Sequence, residues 1–185
     1  MDRRGFIISS CAVLLSPTET FSETFAAKET LARLHANVIF LRHALAPGFG
    51  DPDNFRLNDC DTQRNLSAAG RDQAVAIGQN MTRAGLVFDA VYSSQWCRCL
   101  ETAELLGLGK VQAFAGLNSF FQGHAQRSQT LPALQAKLAG LPVDGLSLMV
   151  THQVVIQAIT RLGVGSGEAV ALNTTTGRAE ALALG

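Results

Sequence analysis

Four apolar residues of strand character, Val38-Ile39-Phe40-Leu41, run straight into the adjacent Arg42 and His43. A buried strand that ends on a cation and an imidazole places both at the carboxyl edge of a sheet, where open α/β sheets bind their ligands. His43 is thus the first candidate for the centre of a functional site. Taken alone, an Arg-His pair after a strand is only a loop surface, so its meaning depends on what the rest of the chain brings to the same edge.

The chain has 185 residues, 47% hydrophobic and 16% charged, enough for one domain with a full core and too few for two. Fifteen basic residues balance fifteen acidic ones. No positive field exists to hold nucleic acid, and no polybasic stripe marks an anionic membrane surface. Any anion must be recognised locally.

Residues 1–27 differ in kind from the rest of the chain. Asp2-Arg3-Arg4-Gly5-Phe6-Ile7 is a positive start with a twin-arginine look, a short apolar run extends from Phe6 to Leu15, and Phe25-Ala26-Ala27 offers a small-residue cleavage site. Together they resemble an export signal. The run is far below the ~20 residues that cross a bilayer, so no stable membrane span is expected after processing, and the mature protein is expected to be periplasmic or otherwise exported.

Residues 22–36 form a mature N-terminal arm or short helix, and 37–41 the first strand. Residues 44–65, rich in Gly, Pro, Asp and Asn, make a long loop of the kind that walls a site. Ser67 caps a helix running to Gly85, with Ala74, Ile77, Gly78 and Met81 at helical spacing. Strands over 88–92, 110–115 and 145–150 alternate with helices over 97–106, 131–141 and 154–162, and a terminal hairpin joins 168–172 to 178–184. This alternation gives an α/β fold over residues 37–185, a three-layer α/β/α sandwich with a mainly parallel sheet.

Three strand ends then carry Arg42-His43, Ser93-Ser94 with Arg98 just inside the next helix, and His152. Two arginines and two histidines on one edge suit a phosphoryl dianion: guanidinium forks hold its oxygens bidentately, and a neutral imidazole can attack phosphorus.

In these motifs the chain resembles the histidine phosphatase superfamily, which includes phosphoglycerate mutases, acid phosphatases and short bacterial phosphohistidine phosphatases. Over residues 37–173, LRHA stands where the family has L-R-H-G. RNLSAAGRDQA matches its Leu-Ser/Thr pattern, VYSSQWCRCLETAELL its strand-to-helix motif, and VTHQ carries the second histidine. The resemblance implies a phosphoglycerate mutase-like fold and a metal-independent phosphomonoesterase that needs no cofactor and works through a phosphohistidine. His43 would be the nucleophile, Arg42 and Arg98 the phosphate clamp, and His152 a hydrogen-bonding partner of the phosphoryl group. The substrate would be a small phosphorylated molecule, either phosphohistidine or a sugar phosphate of the envelope.

The chain also departs from the family. Ser119 stands where many members have a proton-donating glutamate, and Gln153 where acid phosphatases have aspartate. Asp51, Asp53, Asp59 and Asp61 in the long loop are the remaining candidates for a general acid. If none serves, leaving groups must depart easily, and the alternative function is a catalytically weak phosphate-ligand binding protein on the same fold.

Cys97 and Cys99, two apart on a helix, diverge and cannot share a metal or bond each other. They flank Arg98, while Cys60 lies in the long loop, so loop and helix lining one pocket predicts a disulfide from Cys60 to one of them. Three buried free thiols are the alternative.

Overall fold

Strand β1, Val38–Arg42, occupies the interior of a six-stranded sheet. Successive side chains on a strand point to opposite faces, and here both faces are covered. Ile39 and Leu41 pack into one core, Val38 and Phe40 into another, and all four are fully buried. The computed structural model describes residues 18–184.

Strand β4, Ser147–Thr151, lies parallel to β1 with Arg42 opposite Thr151, and divides its own side chains in the same way. Beyond it come β2, Ala90–Ser93, and β3, Val111–Ala113, both parallel. On the other side of β1, β5 (Ala169–Leu172) and β6 (Ala179–Leu182) are antiparallel and form the expected terminal hairpin. The order is β3-β2-β4-β1-β5-β6.

Helices α1 (Thr18–Leu34), α2 (Ala68–Arg83) and α3 (Cys97–Leu106) cover the Ile39 face through Leu31, Met81 and Ala103. Helices α4 (Arg127–Ala139) and α5 (Gln153–Thr160) cover the Phe40 face through Leu134, Leu138 and Ile156. The expected three-layer α/β/α sandwich is therefore present, and the Ser67 hydroxyl caps α2 by accepting from the Gly70 N–H at 3.0 Å.

Two helices differ from the sequence expectation. Helix α4 starts at Arg127, four residues before the expected 131, which puts Pro132 in its second turn. That proline removes one helical bond to the Ser128 carbonyl, and both residues lie toward the surface, so water can satisfy it. Helix α1 begins at Thr18 and runs through Phe25-Ala26-Ala27, with Ala27, Leu31 and Leu34 in the core. Residues 1–17 of the expected export signal lie outside the described residues, and among those described no helix is long and apolar enough to cross a membrane.

The contact of α2 with α3 depends on Gly78, because a Cβ there would stand 2.0 Å from the Leu106 carbonyl oxygen. Gly78→Ala should therefore destabilise by about 2 kcal/mol through overpacking, despite the better helix propensity of alanine. Urea unfolding measures this; a neutral or stabilising result would mean that the helices separate at no cost.

Candidate active site

The parallel register of β1 and β4 decides where the histidines go. Arg42 pairs with Thr151, so the next residues, His43 and His152, leave adjacent strands side by side, with ring centroids 5.5 Å apart. Strand β2 flanks β4 on its other side and delivers Ser94, whose Oγ lies 2.9 Å from His152 Nε2.

Arg98 comes from the first turn of α3, and the long loop fixes the start of that helix. The Cys97 N–H donates to Gln63 Oε1 at 3.0 Å, and Cys97 is disulfide-bonded to Cys60 with Cα atoms 5.7 Å apart. The predicted loop-to-helix disulfide is thus formed, and the buried Cys99 is left free. Thr102 ties α3 to the end of β1: its hydroxyl donates to the Arg98 carbonyl at 2.6 Å and accepts from the Ala44 N–H at 3.0 Å.

From this position the Arg98 guanidinium reaches both histidines. Its Nε donates to His43 Nε2 at 3.2 Å, and Nη2 lies 3.5 Å from His152 Nδ1. The other ring nitrogen of His43, Nδ1, lies 2.8 Å from the Ala44 carbonyl and must donate to it. These partners assign the proton to Nδ1 and leave a lone pair on Nε2. For His152 the pattern runs the other way. Nε2–H donates to Ser94 Oγ, which donates to Asn118 Oδ1 at 3.2 Å.

Both rings are held neutral. Burial, then the charge of Arg98, pushes His43 down to about 3. Burial and the same charge, with His43 adding to it, push His152 well below the ordinary histidine range. The Cys99 thiol, in contact with His152, is pushed up to about 12 by burial, which keeps it protonated.

Arg42, His43, Arg64, Arg98 and His152 line one cavity of about 150 Å³. Arg42 anchors through Nη1 to the Val164 carbonyl at 2.9 Å, while its Nε is buried with no hydrogen-bond partner. A buried donor without a partner costs about 1–3 kcal/mol. Arg64 was not among the residues singled out from the sequence. Its Nε donates to the Gly50 carbonyl at 2.8 Å and its Nη1 to that of Ala46, so a third guanidinium is built into the wall. Its sequence signal was the pattern Arg64-Asn65-Leu66-Ser67, which resembles the Arg-x-Leu-Ser/Thr of the short phosphohistidine phosphatases. Among the described residues, no three His, Cys, Asp or Glu side chains gather to hold a metal ion.

The four loop carboxylates separate. Asp51 is buried against Arg98, accepting from Nη1 at 2.7 Å and Nη2 at 3.1 Å, with the Arg64 N–H and Trp96 Nε1–H completing its shell. Burial alone would raise its pKa, but the hydrogen bonds and charge of Arg98 outweigh that and hold it below the usual carboxylate range. Asp51 is therefore an ionised positioning residue with no proton to give. Asp53, Asp59 and Asp61 do not line the cavity: Asp59 pairs with Arg56 at 2.7 Å, and Asp53 and Asp61 are exposed. Ser119 and Gln153 do line it, and neither is an acid.

The family model of the histidine phosphatase superfamily (branch 1) matches residues 38–137, which include Arg42, His43, Arg64 and Arg98. Among solved structures, the protein histidine phosphatase SixA complexed with tungstate is 16% identical. The match covers 78% of this chain and 92% of that one, with a TM-score of 0.53. A Thermus thermophilus protein is 22% identical over 80% of this chain and 99% of its own, with a TM-score of 0.58. An Escherichia coli K-12 protein provisionally assigned as an alpha-ribazole-5'-P phosphatase is 19% identical over 80% and 95%, with a TM-score of 0.56. At these identities the likeness is one of fold. No curated protein matches the chain.

Two neutral buried histidines predict an acid-sensitive fold. Below the ordinary histidine value of 6.5 the unfolded chain binds protons that His43 and His152 refuse until far lower pH. Stability therefore rises with pH across that window and is lost on acidification. Urea unfolding between pH 6.5 and about 4 should show a slope approaching two protons, and His43→Asn should remove about one of them. A flat profile would mean that the rings are protonated in the folded state.

Proposed function

This chain belongs to the histidine phosphatase superfamily, and from that premise we propose that it hydrolyses small phosphomonoesters or phosphoramidates through a phosphohistidine on His43, without a metal or cofactor. The carrying observation is the His43 ring: Nδ1–H held by the Ala44 carbonyl, Nε2 unprotonated and facing a cavity walled by three guanidiniums.

In the first step Nε2 attacks phosphorus, the N–P bond forms and the P–O or P–N bond to the leaving group breaks. Arg42 and Arg64 hold the phosphoryl oxygens, and the Arg98 Nε–H, which His43 Nε2 releases as its lone pair goes to phosphorus, turns to a phosphoryl oxygen. The Nδ1–H···O=C bond meets the positive charge that develops on the imidazole. A bound dianion offsets the positive charge that, after burial, keeps His152 neutral, so His152 can take a proton from solvent at Nδ1 and hydrogen-bond a phosphoryl oxygen with it. Water then attacks phosphorus, releases inorganic phosphate and restores the imidazole.

The substrate is proposed as a small phosphorylated molecule, either a phosphohistidine, as the SixA likeness supports, or an envelope sugar phosphate. The twin-arginine-like start and the Cys60–Cys97 disulfide support action in the periplasm or another exported space, since such bonds persist in oxidising compartments. Expression of the full chain followed by fractionation should recover it outside the cytoplasm, cut near Ala27; an uncut cytoplasmic product with reduced Cys60 and Cys97 would contradict export.

Because no carboxylic acid among the described residues lines the cavity, the leaving group departs without the ~10²–10⁴-fold help of a general acid. Across aryl and alkyl phosphates, kcat/KM should fall steeply as leaving-group pKa rises, and His43→Ala should lower turnover of every member by about a thousandfold or more. A flat dependence would show that an acid is supplied, and substantial turnover in His43→Ala would remove His43 as nucleophile. Binding without turnover by the unaltered protein would favour the ligand-binding alternative.

A further inference from the structure

The floor of the cavity is cationic, but its rim is aromatic. Phe49 is 90% exposed, unusual for a phenyl ring, and it meets Phe121 edge to face with centroids 5.1 Å apart. Both residues line the same cavity as the arginines and histidines.

This rim is built rather than accidental. Phe49 sits between Gly48 and Gly50, whose φ values of +98° and +69° turn the chain outward. Opposite, Phe121 precedes Gln122, a non-glycine residue held at φ +64°. The Gln122 amide clips the two segments together: Oε1 accepts from the Asp51 N–H at 2.7 Å and Nε2 donates to the Asp51 carbonyl at 3.2 Å. The side chain of Asp51 meanwhile holds Arg98. One residue therefore registers the aromatic rim against the phosphate floor, and the disfavoured backbone at Gln122 is the kind of strain that marks a functional wall.

We propose that Phe49 and Phe121 form a leaving-group subsite for a planar aromatic group, phenol-like or imidazole-like, attached to the phosphoryl group. The inference rests on the phosphatase reading of the floor and deepens it. The two rings already touch, so a ligand ring would pack over them as a platform rather than between them. Apart from the two imidazoles committed to the phosphoryl chemistry, Ser119 and Gln153 are the only neutral hydrogen-bonding side chains lining the cavity among the described residues, few for the hydroxyls of a sugar. Aromatic groups of this kind are also those that depart most readily where no acid is provided.

Calorimetric binding of two non-hydrolysable ligands, benzylphosphonate and ethylphosphonate, tests the subsite without requiring turnover. The unaltered protein should bind benzylphosphonate about tenfold more tightly, for partial burial of one phenyl ring. That ratio should fall towards one in Phe49→Ala and in Phe121→Ala, and it should drop in Gln122→Ala, which leaves both rings but removes the clip. Equal affinities in the unaltered protein, a ratio that survives both phenylalanine variants, or tighter binding of a sugar phosphonate would overturn the proposal. Phenyl phosphate hydrolysis, assayed alongside, judges the phosphatase reading separately: aromatic preference without hydrolysis upholds the subsite and fails that reading, whereas hydrolysis with equal phosphonate affinities fails the subsite alone.

Discussion

The Arg98 guanidinium is buried at the meeting point of α3, the 44–65 loop and the ends of β1 and β4, and each of its nitrogens is engaged. Nε serves His43, Nη1 takes Asp51 and the Arg64 carbonyl, and Nη2 takes Asp51 and approaches His152. An isolated cation there would be very costly, and Asp51 makes it tolerable by fork-to-fork pairing. Burial first, and then this fixed charge, keep both imidazoles neutral, and the charge forms one side of the phosphate cavity. Nucleophile protonation, phosphate affinity and loop position therefore all pass through this one side chain.

Because Arg98 depends on Asp51, the loop is as much a part of the site as the sheet edge. It is fastened by the Cys60–Cys97 bond, by Gln63 at the start of α3, and by a stack in which Phe55 lies against both Trp96 and His124. Trp96 in turn donates to Asp51 and sets its edge against His152. A loop this long and polar could not hold a charged pair by burial alone. Covalent and aromatic anchors add to the apolar packing of Ala44, Ala46, Phe55 and Leu57.

How much was legible in the sequence depends on how local each cause is. Val38–Leu41 is apolar on both strand faces because both faces are buried, and the Ser67 cap and the limits of α3 are set within a few residues. Arg42, His43, Arg98 and His152 could be placed together because strand ends in a parallel sheet share an edge. The Phe49–Phe121 rim could not, because its position comes from left-handed turns and from the Gln122 clip across the cavity, nor could the aim of Arg64, which the Gly50 and Ala46 carbonyls set. Asp51 was visible only as one of four loop carboxylates. Its separation from Asp53, Asp59 and Asp61 is a tertiary fact, as is the ionisation that makes it a holder of Arg98 rather than an acid. The early start of α4 was hidden by Pro132, whose lost bond falls on a carbonyl near the surface.

The unprotonated Nε2 of His43 is the atom on which the proposed chemistry turns, since it must take the phosphoryl group. Rapid quenching of the protein with an activated aryl phosphate under alkaline conditions, which preserve phosphohistidine, followed by peptide mass spectrometry, tests this most directly. One phosphoryl group per chain is expected, acid-labile and on Nε2 of His43. Steady turnover with no phosphoenzyme, or with the label on any other residue, would contradict it.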